Sequence, residues 1–235
     1  MIKYFDELVQ GTDEWYAARC GLLTASEMDK IITPKKLEYS NSEKERTHLY
    51  ELAAQRITNY VEPTYVSDQM LRGKEDEEEI RKIYSENYAP VKQVGFVTND
   101  KWGFTLGVSP DGLVGEDGQI EGKSRAQKFQ FDTITSDEMD VDFRLQVQTA
   151  LLVTERKWVD FVSYCGGMPM FTKRIYPDPE VQGAILTAAT IFHKKLEEKI
   201  QQYHDQVVIL GPRLIPTIRR PAAMNADIIV EAEAA

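Results

Sequence analysis

Residues 106–124 read LGVSPDGLVGEDGQIEGKS, and the fold and the chemistry of the chain both follow from how this stretch is read. Residues 103–108 and 118–123 are short runs of strand type, separated by the turn signal Pro110-Asp111-Gly112. A similar run, 93–98, ends at Asn99-Asp100, so the three together predict a meander. Side chains on a strand repeat every second residue, which places Glu121 and Lys123 on one face, and the preceding hairpin brings Asp111 beside them. Two other acid-x-Lys triplets begin at Glu155 and Glu197, and roughly two or three are expected by chance. Context separates them: Glu155 lies in a Glu-Arg-Lys loop and Glu197 in a polar helix. Asp111 and Glu121, with the Gly122 backbone carbonyl between them, are the hard oxygen donors that Mg²⁺ takes, with Mn²⁺ as a substitute. A lysine nearby orients or deprotonates an attacking water, which is the chemistry of phosphodiester hydrolysis. The same residues also fit a turn aspartate beside a surface Glu/Lys pair.

Two further residues bear on that choice. Gln146 lies three residues after Phe143 and four before Ala150, on or beside the apolar stripe of a helix. A buried amide needs partners, and either charged ligands or a strand edge supply them. Glu77 stands in Glu75-Asp76-Glu77-Glu78-Glu79, acids favoured at a helix N-terminus and usually solvated there.

Working outward, helices come first, then strands, then helices. Hydroxyls of Thr24-Ala25-Ser26-Glu27 cap a short helix towards Lys30, and a loop, 33–41, precedes a helix over 42–58 with Leu49, Leu52, Ala53 and Ile57 on one face. A helix over 74–88 leads into the meander. Residues 142–154 are helical, with Phe143, Val147, Ala150 and Leu151 in one stripe; strands follow at 158–164 and 169–176, and a long helix at 178–204. The expected fold class is α+β, with a central mixed β-sheet flanked by helices. Residues 1–204 form a single domain, and 205–235, with Pro212, Pro216 and Pro221, form a C-terminal extension assigned to no element.

Composition sets the outer limits. With 42% hydrophobic and 28% charged residues in 235, the chain can bury a core, which excludes disorder as its main state. No apolar run approaches the roughly 20 residues that span a bilayer, and the opening MIKYFDELVQ has no signal-peptide pattern, so a cytoplasmic location without a membrane partner is expected. Two cysteines are too few for a disulfide scaffold, a four-cysteine zinc site or a protein-ligated iron–sulfur cluster. A net charge of −10 argues against a generic basic nucleic-acid coat, though not against a locally basic groove.

Five stretches in order give the chain a resemblance to a known family: Gly11-Thr-Asp-Glu-Trp15-Tyr-Ala-Ala-Arg19 with Leu23-Thr24-Ala25-Ser26; Arg72-Gly73-Lys74-Glu75-Asp76-Glu77; Ser109-Pro110-Asp111-Gly112; Glu121-Gly122-Lys123; and Leu145-Gln146-Val147-Gln148. Over about residues 10–176 it resembles the YqaJ viral recombinase family, the lambda-type phage exonucleases of the PD-(D/E)xK nuclease superfamily. The resemblance implies a restriction-endonuclease-like core and makes residues 1–204 a nuclease domain. By motif, Asp111 and Glu121 match the metal-binding acids, Lys123 the catalytic lysine, Glu77 the helix glutamate that completes the metal site, and Gln146 the glutamine that follows the catalytic strands. Arg19, Ser26 and Ser109 match positions that bind the 5′-terminal phosphate; their plain readings are a surface arginine, a helix cap and a turn serine. The chain departs from the family pattern in Gly122, where an apolar residue is usual, and in Ser124-Arg125, where Cys-Pro is usual. Arg125 and Lys128 are assigned as DNA contacts. The family further implies a Mg²⁺-dependent 5′→3′ exonuclease acting at double-stranded DNA ends, releasing mononucleotides and leaving 3′ single strands. It also implies a homotrimeric ring, a single-strand annealing partner protein and a phage or prophage origin in a bacterial host cytoplasm. Leu214, Ile215, Ile228 and Ile229 of the extension are offered to the ring interface. Competing readings are an endonuclease or helicase-attached module of the same superfamily, and a catalytically silent DNA-binding protein.

Overall fold

The computed structural model describes residues 1–63 and 67–219, which divide into two compact units at Ile200/Gln201. The strands form two mixed sheets. The first has the order β1 (Ile2–Phe5), β4 (Phe96–Asn99), β5 (Leu106–Val108), β2 (Leu23–Thr24), with only the β5–β2 pair parallel. The second has the order β3 (Val91–Lys92), β6 (Gly112–Val114), β7 (Gly118–Ser124), β8 (Trp158–Tyr164), β9 (Phe171–Ile175), with only β7–β8 parallel. The α+β class and its helix-flanked sheets are therefore as expected, but the meander is divided. Its β4–β5 hairpin belongs to the first sheet and its β6–β7 hairpin to the second, and the chain changes sheets at Ser109-Pro110-Asp111. Pro110 has no N–H to continue the β5 ladder, and Gly103, at φ +82°, turns the chain so that β5 begins only at Leu106.

Helix α5 (Arg144–Thr154) packs on strands of both sheets. Leu145, Val147, Ala150, Leu151 and Val153 are all buried, so the helix is apolar around most of its circumference, as a helix between two layers must be. On the other face of the second sheet lies α3 (Asp68–Asn87), whose Ile80 and Tyr84 pack with Val114, Ile120 and Val162. It begins before the expected residue 74 and runs through Gly73. Helix α2 (Glu43–Thr58) starts where Ser42 accepts the Glu45 N–H at 3.3 Å and stops where Asn59 turns left-handed at φ 49°. Its Leu49, Leu52 and Ala53 join the main core with Val181, Ile185 and Phe192 of α6 (Pro179–Leu210), a helix that extends past the expected residue 204. Two helices were not expected. The first, α1 (Asp13–Arg19), is capped by Thr12, and α4 (Gln127–Ser136) follows β7 directly. Among the described residues no helix is long and apolar enough to cross a membrane. Leu214 and Ile215 are exposed, while Pro221, Ile228 and Ile229 lie outside the described residues.

Candidate active site

Asp111 stands on the turn between the sheets, and the β6–β7 register pairs Gly112 with Ile120, which sets Asp111 against the next stretch of β7. Its Oδ2 accepts the backbone N–H of Gly122 at 2.7 Å. Glu121, 2% exposed, projects to the opposite face of β7 from Ile120; its Oε1 accepts from Lys123 Nζ at 2.7 Å and from Gln146 Nε2 at 2.6 Å. Lys123 Nζ also donates to Gln146 Oε1 at 3.0 Å and lies 5.2 Å from the Phe143 ring centre. Gln146 of α5 thus bonds both members of the strand pair. Gln148, two residues on, serves the fold: it donates to the Tyr176 carbonyl and accepts the Asp178 N–H, each at 2.9 Å.

Gly122 has a packing reason to be glycine. A Cβ there would meet Ile80 Cδ1 at 3.0 Å and Cγ2 at 3.2 Å, so the bare backbone lets α3 lie close against β7. That approach carries Glu77 and Arg81 to the site. Arg81 donates to the Asp111 carbonyl at 3.5 Å and stands 3.9 Å from the Glu77 carboxylate. Burial, followed by the charges of Glu121 and Glu77, pushes the Asp111 carboxyl well above its ordinary pKa. Burial also raises Glu77, with Glu121 adding to it and Arg81 opposing. Burial alone lowers the Lys123 ammonium, but Glu121, Asp111 and Glu77 outweigh it and hold the group above its ordinary value. Among the described residues no three His, Cys, Asp or Glu side chains are grouped so as to hold a metal ion by themselves. Asp111 and Glu121, with Gly122 between them and Glu77 near by, are an open set of oxygen donors carrying more negative than positive charge.

Two residues before Asp111, Ser109 belongs to a second polar cluster. Arg19, at the end of α1, lies 4.2 Å over the Trp15 ring and donates to Ser109 Oγ and Thr24 Oγ1, both at 3.2 Å. Trp15 Nε1 also donates to Ser109 Oγ, at 3.0 Å. With both acceptor directions of its hydroxyl taken by N–H groups, Ser109 keeps its own hydrogen to donate. Thr24 donates to Glu27 Oε2 at 3.1 Å, and its hydroxyl lies 3.4 Å from that of the exposed Ser26. Burial lowers the Arg19 pKa against the pull of Glu27 and Tyr16. For Glu27, burial is the largest influence and raises the pKa, yet His48, Lys30 and Arg19 together bring it below the ordinary value. The structure therefore joins Arg19, Ser26 and Ser109, and adds Trp15, quoted in a motif without a role, and Thr24, read as a helix cap but making no side-chain cap bond to the helix that follows.

Arg125 and Lys128 differ in setting. The Arg125 side chain, 12% exposed, donates to Asp140 Oδ2 at 3.1 Å and stacks between Phe129 and Phe143, so it is spent inside the protein. Lys128 is exposed on α4.

Comparison with known proteins finds a family and solved structures of the same fold. Residues 14–157 match the YqaJ-like viral recombinase domain. The crystal structure of the alkaline exonuclease LHK-Exo from Laribacter hongkongensis is similar at a TM-score of 0.76 and 31% identity, covering 85% of this chain and 100% of that one. The crystal structure of LHK-Exo in complex with dAMP gives the same values. A phage related exonuclease from Haemophilus somnus shares the fold at a TM-score of 0.53 and 13% identity, over 76% of this chain and 96% of that one. No curated protein sequence matches the chain.

Proposed function

The chain belongs to the YqaJ-like viral recombinase family and is a deoxyribonuclease of the exonuclease type, and on that premise we propose that it is a Mg²⁺-dependent 5′→3′ exonuclease on linear duplex DNA. It releases mononucleotides and leaves 3′ single strands for strand annealing. The observation that carries this reading is the turn Ser109-Pro110-Asp111, which places a hydroxyl of the arginine cluster two residues from a half-buried carboxylate. An end-dependent enzyme needs a cationic seat for a terminal phosphate beside the place where the next bond is cut, and this turn links a residue bonded to Arg19 with Asp111.

The donor set suits Mg²⁺, which is held by one or two carboxylates and keeps several waters. Asp111, Glu121, Glu77 and the Gly122 carbonyl would hold the ion, and the raised Asp111 and Glu77 pKa values mark a place where positive charge is wanted. When bound, the ion acidifies water and neutralises charge building on the phosphate. Lys123 has two hydrogens committed, to Glu121 and Gln146, and presents the third to the attacking water. Gln146 fixes both ends of that pair, so the ammonium stays aimed when substrate arrives. Arg19 forks onto the 5′ phosphate, with Ser109 and Ser26 donating hydroxyl hydrogens. Lys128 contacts the duplex from α4; Arg125 acts by holding the Asp140 loop.

The protein works as a closed homotrimeric ring in the cytoplasm of a bacterial host, alongside a single-strand annealing protein. A net charge of −10 leaves little to hold DNA between cuts, and encirclement retains it without tight binding. Residues 1–204 form the nuclease domain, and exposed Leu214 and Ile215 of the extension contribute to closure. Linear duplex labelled separately at each 5′ and 3′ end, digested with Mg²⁺ or with EDTA, tests the reading. Loss of 5′ label first, only with Mg²⁺, is expected; first loss of 3′ label, or cutting of a circular plasmid, would refute it.

A further inference from the structure

One buried carboxylate takes no part in the mechanism above. Asp160 lies in the middle of β8, 3% exposed, in register with Ile120 and therefore on the face of the sheet that α3 covers, opposite Glu121. It accepts the Tyr84 hydroxyl at 2.6 Å and two N–H groups of Arg174 at 2.8 Å each, and the Arg174 guanidinium lies 3.6 Å over the Trp158 ring. Asp160 is buried but Arg174 is exposed, and an ion pair with a solvent-facing partner adds little to stability, so stability does not explain it. Geometry does. Glu77, Ile80 and Tyr84 follow one another at spacings of three and four, along one face of α3. Ile80 rests on the bare backbone of Gly122, and Tyr84 reaches Asp160. An apolar contact alone lets a helix slide or roll by a fraction of an ångström, whereas a directional bond to a carboxylate clamped by Arg174 does not.

We propose that Tyr84, Asp160 and Arg174 are positioning residues that fix the register of α3 on the sheet, hold Glu77 and Arg81 against Asp111, and so set the affinity of the site for its divalent ion. The inference rests on the place given to Glu77 in the proposed function. Tyr84→Phe removes the hydroxyl and keeps the ring in its cluster. Its calorimetric Kd for Mg²⁺ without DNA, and the Mg²⁺ needed for half-maximal digestion, should both rise about tenfold, while digestion at saturating Mg²⁺ stays near wild type. Asp160→Asn, which keeps an acceptor for Tyr84, should fall between. Leu52→Ala, which softens the main core under α2, should leave the Kd unchanged, separating positioning from general loss of stability. Tyr84→Phe combined with Glu77→Ala should bind Mg²⁺ no more weakly than Glu77→Ala alone. If Glu77→Ala weakens binding but Tyr84→Phe and Asp160→Asn do not, the anchor is overturned and the site stands. If Glu77→Ala itself binds Mg²⁺ like wild type, the role of Glu77 fails, and the anchor with it.

Discussion

The two polar regions on either side of Pro110 hold their charges in opposite ways. Around Asp111 and Glu121, three carboxylates outnumber the Lys123 and Arg81 cations that contact them, and burial together with mutual repulsion raises the Asp111 and Glu77 pKa values. Around Arg19, one guanidinium is enclosed by an indole and two hydroxyls, and the nearby Glu27 carboxyl is pulled below its ordinary value by His48, Lys30 and Arg19 in spite of its burial. The same residue type thus responds to pH in opposite senses in the two regions. One region is short of positive charge, and the other holds a half-buried cation against two hydroxyls and an indole. On the proposed reading a cation suits the first and an anion suits the second.

The strongest blow to this contrast is Lys123→Ala or Asp111→Ala. On the proposed reading each removes a group that touches water or ion, and digestion of linear duplex should fall by about a thousandfold or more; a rate near wild type would leave the carboxylate region without chemistry. Arg19→Ala should abolish the preference for 5′-phosphorylated over 5′-hydroxyl ends, a change of about tenfold in relative initial rate. Equal rates on both ends in the wild type would remove the phosphate reading. A third measurement follows thermal unfolding against pH without metal. Asp111 and Glu77 keep protons in the folded state that the unfolded chain has already released, so stability should fall as pH rises from the ordinary carboxylate range through their raised values. Mg²⁺ should restore it by a few degrees of Tm, more at alkaline than at mildly acidic pH. The smallest effect belongs to Glu27, whose lowered pKa contributes stability above the ordinary carboxylate range that is lost as pH falls through the lowered value. Glu27→Gln should flatten that acid limb by about 1 kcal/mol or less, and an unchanged limb would detach Glu27 from the arginine cluster.

Local periodicity made part of the site legible. Glu121 and Lys123 are two apart on a strand, and Gln146 sits at the rim of an apolar helix stripe, so each could be placed from its neighbours. Asp111 needed only a turn signal. What escaped depends on partners distant in the chain. Tyr84 meets Asp160 across 76 residues, and within Trp158–Tyr164 a lone acid reads as ordinary alternation. Arg125 reads as a free cation until Asp140, in a loop of no recognisable pattern, takes it up. The division of the strands into two sheets was hidden for a different reason: strands of two to four residues carry too few alternations to be recognised, and a proline beside a turn signal looks like part of the hairpin.

The turn at Pro110 also has a metric consequence. Ser109 and Asp111 are joined by two peptide units, so their Cα atoms are never more than about 7 Å apart, whatever else in the protein moves. On the proposed reading, the group that grips a strand end and the group that severs the strand are tied by a covalent ruler, with a stiff pyrrolidine ring at its centre. Its span is of the order of one nucleotide of backbone. The increment removed at each cycle is then a property of bond lengths, insensitive to temperature, salt or the breathing of the sheets, and only an insertion between Ser109 and Asp111 would recalibrate it.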